Sequence, residues 1–519
     1  MSPLLLATYA EAADFALSQA VAQTSKPPEV YKHRFYPTDQ HDLCNVIGHG
    51  DGVILTKEGK HDASRFPIPT TSAYGGKYKG LHEALDGGAF KEPATVGLFR
   101  NIDISFQCRF RFAPIHTGRY KMALSTWSFW WDKGKISPSP RMQAAGIYIG
   151  GRLLGHWDAP SMKPTRHEFT EWLNPDGYMK FNTASIWNVR VNERKGLAGA
   201  HVGPAVAVDY IDVEGPIWEE WPPPSHKALF GELPVVGYDK LAKDEPRPAR
   251  VEPRQLPGDA LNQPGKMHWG TVQSRTPAAD AEKLLGEFLP RAFRRGVSKR
   301  EVARYAAVAV KRLAAGECFE EAMKAAYKTA LCSPDFLFLD GSTASRLSYF
   351  LWNSTPDDEL MKADLKDAAA LRKQTERMLK DEKAARFVAD FADQWLDQRE
   401  FDLTSPDGNL YPEWQPYLAD AVRREPAEYL KALIAGNEPA SETVRSGRVI
   451  VNQRLAEHYG ITGVEGTRFR NVGVDKSLRG GFLTQAAILK VTANGTTTSP
   501  VKRGAWVMRK VLGRPPLPP

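Results

Sequence analysis

The pattern of apolar and polar positions changes character twice along the chain. Ile104, Phe106, Cys108, Phe110 and Phe112 are apolar and alternate with Ser105, Gln107, Arg109 and Arg111. A period of two predicts a strand with one buried face. His116-Thr117-Gly118 supplies a turn, and Tyr120, Met122 and Leu124 resume the alternation. Ile147 and Ile149 run into Gly150-Gly151, a hairpin signal, and Val206, Val208 and Tyr210 mark a late strand closed by Gly215-Pro216. Short strands with regular turns predict an antiparallel β-sandwich, jelly-roll-like.

Residues 218–275 carry prolines at 222, 223, 224, 234, 246, 248, 253, 257 and 264. Proline fixes φ and removes a donor, so this stretch is expected to be a linker without regular elements. From 276 onward the period is helical. Ser298 and Glu301 have capping-box spacing, with Val302, Tyr305, Ala309 and Leu313 as an apolar stripe behind them. A helix is expected from Glu320 to Leu331, another capped by Thr355-Pro356, a buried face at Phe387, Val388, Phe391, Ala392, Trp395 and Leu396, and a last helix from Ser499-Pro500.

The expected fold class is therefore α+β and multidomain, an N-terminal antiparallel sandwich followed by an all-α region. The expected division is 1–25, a helix ending a preceding domain; 26–217, the sandwich, of carbohydrate-module style; 218–275, the linker; 276–340, a short helical domain; 341–470, a larger one; and 471–519, the start of another. The opening lacks a signal-peptide pattern and the close stops in a proline run, so the chain reads as an internal piece of a longer protein.

The chain has 519 residues, 69 Lys+Arg against 61 Asp+Glu, and a net charge of +8. Spread over that length, the charge forms no dense basic stripe, so nucleic acid is not an expected partner. No apolar run reaches the length of a membrane span. Cys44, Cys108, Cys318 and Cys332 include no C-x-x-C pair, which leaves no zinc ribbon or haem attachment in this stretch. Buried unpaired thiols are the expected state of all four; an exported protein could pair Cys44 with Cys108, but nothing in the spacing requires it.

Trp127, Trp130 and Trp131 are the sharpest feature of the β half. An exposed indole offers a flat apolar face to a sugar ring, and Asp132, His156 and Asp158 could line such a site. The same aromatics also suit a sandwich core. Calcium needs six to eight oxygens, to which Asn174, Asp176 and Gly177 could contribute, or that segment is a plain turn. His41, His49 and His61 beside Asp39, Asp42, Asp51 and Asp62 are metal candidates without a known ligand spacing. Thr498, Ser499, Lys502 and Arg503 at a helix start could bind an anion, or Ser499 simply caps the helix. His458 is expected to place positive charge at a helix C-terminus.

Several segments resemble one bacterial family. Phe293-Arg294-Arg295 to Glu301, with Ser333-Pro334-Asp335-Phe336-Leu337-Phe338, is similar to its short helical domain. Arg346-Leu347-Ser348-Tyr349-Phe350-Leu351-Trp352, Pro356-Asp357-Asp358-Glu359-Leu360, and Asn452 through Gly460 resemble the domain of unknown function 1592. Arg479-Gly480-Gly481-Phe482-Leu483-Thr484-Gln485 and Thr498 through Gly504 resemble the domain that follows it. One departure is Pro426, which interrupts a helix where the family shows an unbroken stretch. The resemblance implies a planctomycete-type, exported, extracytoplasmic bacterial protein with a β-rich insertion. It also implies haem c in a flanking cytochrome-like domain and none on these residues. The functions it leaves open are a polysaccharide-binding scaffold docking the protein's other domains, and part of a cytochrome-c-linked oxidoreductase acting on carbohydrate-related substrates.

Overall fold

The computed structural model describes residues 3–37, 52–56, 59–60, 94–99, 108–110, 112, 114, 116–175, 179–186, 199, 201–250, 267–339 and 341–517. The chain divides into two compact units. One comprises Met1–Val30, Ile115–Arg119 and Pro216–Phe387, and the other Tyr31–Pro114, Tyr120–Gly215 and Val388–Pro519.

The second unit holds the sandwich. Its strands are β1 (Tyr31–Phe35), β2 (Gly52–Leu55), β3 (Thr95–Leu98), β4 (Cys108–Phe110), β5 (Gly118–Asp132), β6 (Lys135–Ser137), β7 (Gln143–Ile149), β8 (Arg152–Ala159), β9 (Thr165–Leu173), β10 (Met179–Asn182) and β11 (Val202–Ile217). One sheet has the order β2-β3-β11-β5-β6, with β1 on β11 and β9 on β5; the other has the order β4-β10-β7-β8. Among the described residues these strands pair antiparallel. Gly150 and Gly151 take φ of 56° and 83°, the left-handed pair that a tight β7–β8 hairpin needs.

The two sheets face each other across Val96, Leu98, Met122, Leu124, Val206 and Val208 on one side and Ala145, Ile147, Ile149 and Phe181 on the other. Residues of opposite parity on the larger sheet, Val53, Leu55, Phe99, Trp127, Phe129, Trp131 and Ala207, form a second buried cluster. Both faces of that sheet are thus apolar. The outer face of the smaller sheet carries Ala144, which clusters with Ala184 and Tyr417. Tyr417 lies on the helix Pro416–Ala435, which packs on the strand Arg448–Val451 and on the helices Gln453–His458 and Ala486–Val491. Pro426 sits inside the first of these helices without ending it.

The first unit is mainly helical. Pro277–Phe293, Lys299–Ala314 and Phe319–Leu331 pack around Leu285, Phe293, Ala309, Met323 and Tyr327, joined by Leu17 of the helix Pro3–Ala20 and by Val21 just beyond its end. The Ser298–Glu301 capping box forms as expected. Arg294, in the left-handed region at φ 60° and 3% exposed, donates to the carbonyls of Asp335, Phe336 and Phe338 at 2.9, 2.9 and 2.8 Å. Arg295 bridges Glu301 and Asp335. These contacts explain why the Phe293-Arg294-Arg295 and Ser333-to-Phe338 segments occur together.

Three local expectations are corrected. The stretch 218–275 contains a helix, Pro224–Phe230, and a strand pair, Val235–Gly237 with Gly270–Val272. Proline is favoured at a helix start, and the strand partners lie too far apart in sequence to be read locally. The helix after Thr355-Pro356 is Asp358–Lys362, and its cap is Asp357, whose carboxylate accepts from the Leu360 amide at 2.9 Å and takes both ends of the Arg377 guanidinium. Phe391, placed in a buried face, is 39% exposed.

Candidate functional site

The six residues proposed as one sugar site are not brought together. Trp127 and Trp131 are 3% and 0% exposed, part of the sealed aromatic layer, so neither presents an open face. The Trp127 indole donates to Asp209 Oδ1 at 3.0 Å, and Thr95 and Ser125 donate to the same carboxylate. Trp130 lies on the opposite face of β5 and is half-buried, while Asp132 is exposed at the β5–β6 turn. His156 and Asp158 lie on β8 and face the helical part of the same unit. The His156 ring is 4.4 Å from that of Tyr417, with Nδ1 3.4 Å from Asp420 Oδ2. Asp158 Oδ1 accepts the Thr467 amide at 2.6 Å. Of the calcium candidates, Asp176 and Gly177 lie outside the described residues, as do the metal candidates Asp39, His41, Asp42, His49, Asp51, His61 and Asp62, and Cys44. No group of three metal-binding side chains occurs among the described residues.

The segment Asn452–Gly460 shows how each of its residues is used. Asn452 caps the helix through the Leu455 amide. Gln453 accepts from Gly466 N and donates to Met142 O and Glu457 Oε1. Glu457 in turn pairs with Arg141 of the sandwich at 2.7 Å. Arg454, 3% exposed, donates to Glu413 O. Tyr459 donates to Glu425 Oε2 at 2.6 Å and accepts the Ala486 amide at 2.7 Å. Gly460 follows in the left-handed conformation at φ 70°. Glu425 is 0% exposed, and burial raises its pKa to about 8 despite the Tyr459 hydroxyl and the nearby Arg479.

Beside this segment lies a cavity of about 340 Å³. Three stretches distant in sequence build it: Thr404 to Trp414, His458, and Ala486 to Arg503. Trp414, Ala486 and Leu489 supply apolar wall, and Thr404, Glu413, Thr497 and Thr498 polar wall. Lys490 donates to the carbonyls of Phe401 and Thr404 and sits 4.2 Å over the Phe401 ring. Burial lowers its pKa. Arg503 is braced by two hydroxyls, Nε to Thr492 Oγ1 at 3.3 Å and Nη2 to Thr498 Oγ1 at 2.8 Å. Desolvation, with Arg454 nearby, lowers the His458 pKa, so the helix-end positive charge expected there is disfavoured.

Of the anion candidates, Thr498 and Arg503 line this cavity. Ser499 is the N-cap of the helix Pro500–Lys510, accepting from Lys502 N at 3.3 Å, and the Lys502 side chain is exposed. Glu413, Trp414 and Lys490 were not singled out from the sequence, because no local spacing joins them.

Cys318 and Cys332, the free cysteines whose side chains are described, do not form a haem-attachment pair. Cys318 and Cys332 are the N-cap and C-cap of one 13-residue helix, about 20 Å apart at 1.5 Å per residue. One haem cannot be attached to both.

Residues 339–461 match the family model PSD4, a protein of unknown function (DUF1592). Residues 280–340 match PSD5 (DUF1595), and residues 479–519 match PSCyt3 (DUF1588), both also described as of unknown function. The cavity is lined from the first and the last of these three. No curated protein matches the chain. The C-terminal part of the chain thus carries three successive domains of the planctomycete-type, cytochrome-c-associated kind.

Proposed function

We propose that this chain is an extracytoplasmic binding and scaffold component, and that it takes a carbohydrate ligand in the cavity beside Trp414. One observation carries the reading: an aromatic wall and convergent polar side chains enclose a space of about 340 Å³, near the lower end of the about 300–1,000 Å³ common for ligand sites. An indole face suits the apolar face of a sugar ring, and Thr404, Glu413, Thr497 and Thr498 offer partners for its hydroxyls. The scaffold part rests on the outer face of the smaller sheet, spent against the helix Pro416–Ala435 of the same unit. Affinity electrophoresis of the whole chain in polysaccharide gels tests the proposal. Retardation by a polysaccharide, reduced in Trp414→Ala, is expected; free migration in every gel contradicts it.

The name PSCyt3 on residues 479–519 favours a second reading, in which the chain is part of a cytochrome-c-linked oxidoreductase acting on carbohydrate-related substrates. The haem would then belong to a different set of residues. A redox titration of the protein purified from its source gives a haem wave under this reading and none under the first.

A further inference from the structure

We infer that the ligand of the Trp414 cavity carries a carboxylate on its ring, as a sugar acid does. This rests on the reading of the cavity as a carbohydrate site and narrows it to one chemical class.

The argument starts from how cations are partnered elsewhere. Partly buried Arg250, Arg377 and Arg448 each meet a carboxylate, Glu320, Asp357 and Glu438, within 2.9 Å. Lys490 and Arg503 line the cavity and, among the described residues, neither forms an ion pair with a carboxylate. Their bonds are to neutral oxygens: two carbonyls for Lys490, and two threonine hydroxyls for Arg503. These contacts orient the cationic groups without neutralising them. An ammonium has three N–H donors and a guanidinium five, so each retains donors after its two bonds. Against these two cations the cavity wall sets one carboxylate, Glu413, and Asp402, whose charge reaches Lys490, is itself paired with Arg423 at 2.7 Å. The balance favours a ligand with one negative charge, held by charge-assisted hydrogen bonds.

The rest of the wall decides against a bare anion. Trp414, Ala486 and Leu489 are apolar, and an inorganic ion would leave them uncovered. A ring with one apolar face, several hydroxyls and a carboxylate uses all three kinds of wall.

D-Glucuronate and D-glucose share a ring and differ at C6, so titrating both calorimetrically into the whole chain isolates the carboxylate. Glucuronate is expected to bind at least about tenfold tighter, the effect of one charge-assisted contact. Arg503→Gln should bring the ratio of glucuronate to glucose affinity down towards one. Equal binding of the two sugars, or tighter glucose, overturns the inference but leaves the carbohydrate site standing. Binding of neither removes both. Inorganic phosphate binding as tightly as glucuronate, unaffected by Trp414→Ala, overturns the inference in favour of a simple anion site. Because the glucuronate–glucose comparison needs no variant, it remains decisive if Arg503→Gln does not fold.

Discussion

The Tyr459 hydroxyl lies 2.6 Å from Glu425 Oε2 and bridges that buried carboxyl to the backbone of Ala486, a residue of the cavity wall. His458, the preceding residue, lines the cavity itself. One short helix end thus joins a titratable group in the core to the candidate site.

That carboxyl gives the fold a pH dependence. Folded, Glu425 keeps its proton up to pH about 8, whereas its ordinary value is 4.5. Folding therefore binds a proton between those values, and stability falls as pH rises through the window, by at most about 1.4 kcal/mol per pH unit. Glu425→Gln should abolish this slope. Chemical denaturation at pH 5, 6.5 and 8 compares the two proteins, and parallel curves would count against the buried proton.

Tyr459→Phe removes the donor to Glu425 and the acceptor for the Ala486 amide together. Leaving buried polar groups unmatched costs about 1–3 kcal/mol each. The variant should lose stability by an amount in that range or above it, measured by urea unfolding, and a neutral effect would contradict the placement of the hydroxyl.

Trp127 is core in this structure. Trp127→Ala should cost about 3–5 kcal/mol, typical of emptying a buried aromatic site, and should leave polysaccharide retention of the folded fraction unchanged. Loss of retention with little loss of stability would restore the indole as a ligand platform.

Arg294→Lys should destabilise the helical unit. Nη2 donates to the three carbonyls while Nη1 reaches the Tyr349 hydroxyl at 3.3 Å, two sets of partners that a single lysine ammonium cannot span in the guanidinium's fixed plane. A loss of about 2–4 kcal/mol is expected, the scale of a broken buried network, read as a shift in thermal unfolding. An unshifted transition would contradict it.

Gly480 and Gly481 stand where a side chain has no room. A Cβ at Gly480 would overlap the Ser446 carbonyl, and one at Gly481 would come within 2.7 Å of Val444 backbone atoms. Both have positive φ, 141° and 68°. Gly480→Ala should therefore yield little folded protein, measured as soluble yield and circular dichroism.

What the sequence made legible was local. The Ser298–Glu301 box and the Gly150-Gly151 hairpin each sit within a few residues, and both form. Alternation along β5 puts Trp127 and Phe129 on one face and Trp130 on the other, but period two cannot say which face is covered, and here both faces of the sheet are apolar. His156 and Asp158 looked like ligands because nothing in sequence reveals Tyr417 and Thr467 as their partners. The strand Val235–Gly237 was missed because its partner begins at Gly270. The cavity was illegible for the same reason: Trp414, His458 and Arg503 share a wall only after folding.

The central claim is that the Trp414 cavity is where a carbohydrate binds. Hydrogen–deuterium exchange of the whole chain, with and without a polysaccharide that retards it, tests this most directly. Protection concentrated in residues 404–414 and 486–503 is the predicted result. Unchanged exchange in both segments, with protection appearing on the sandwich strands instead, would contradict it.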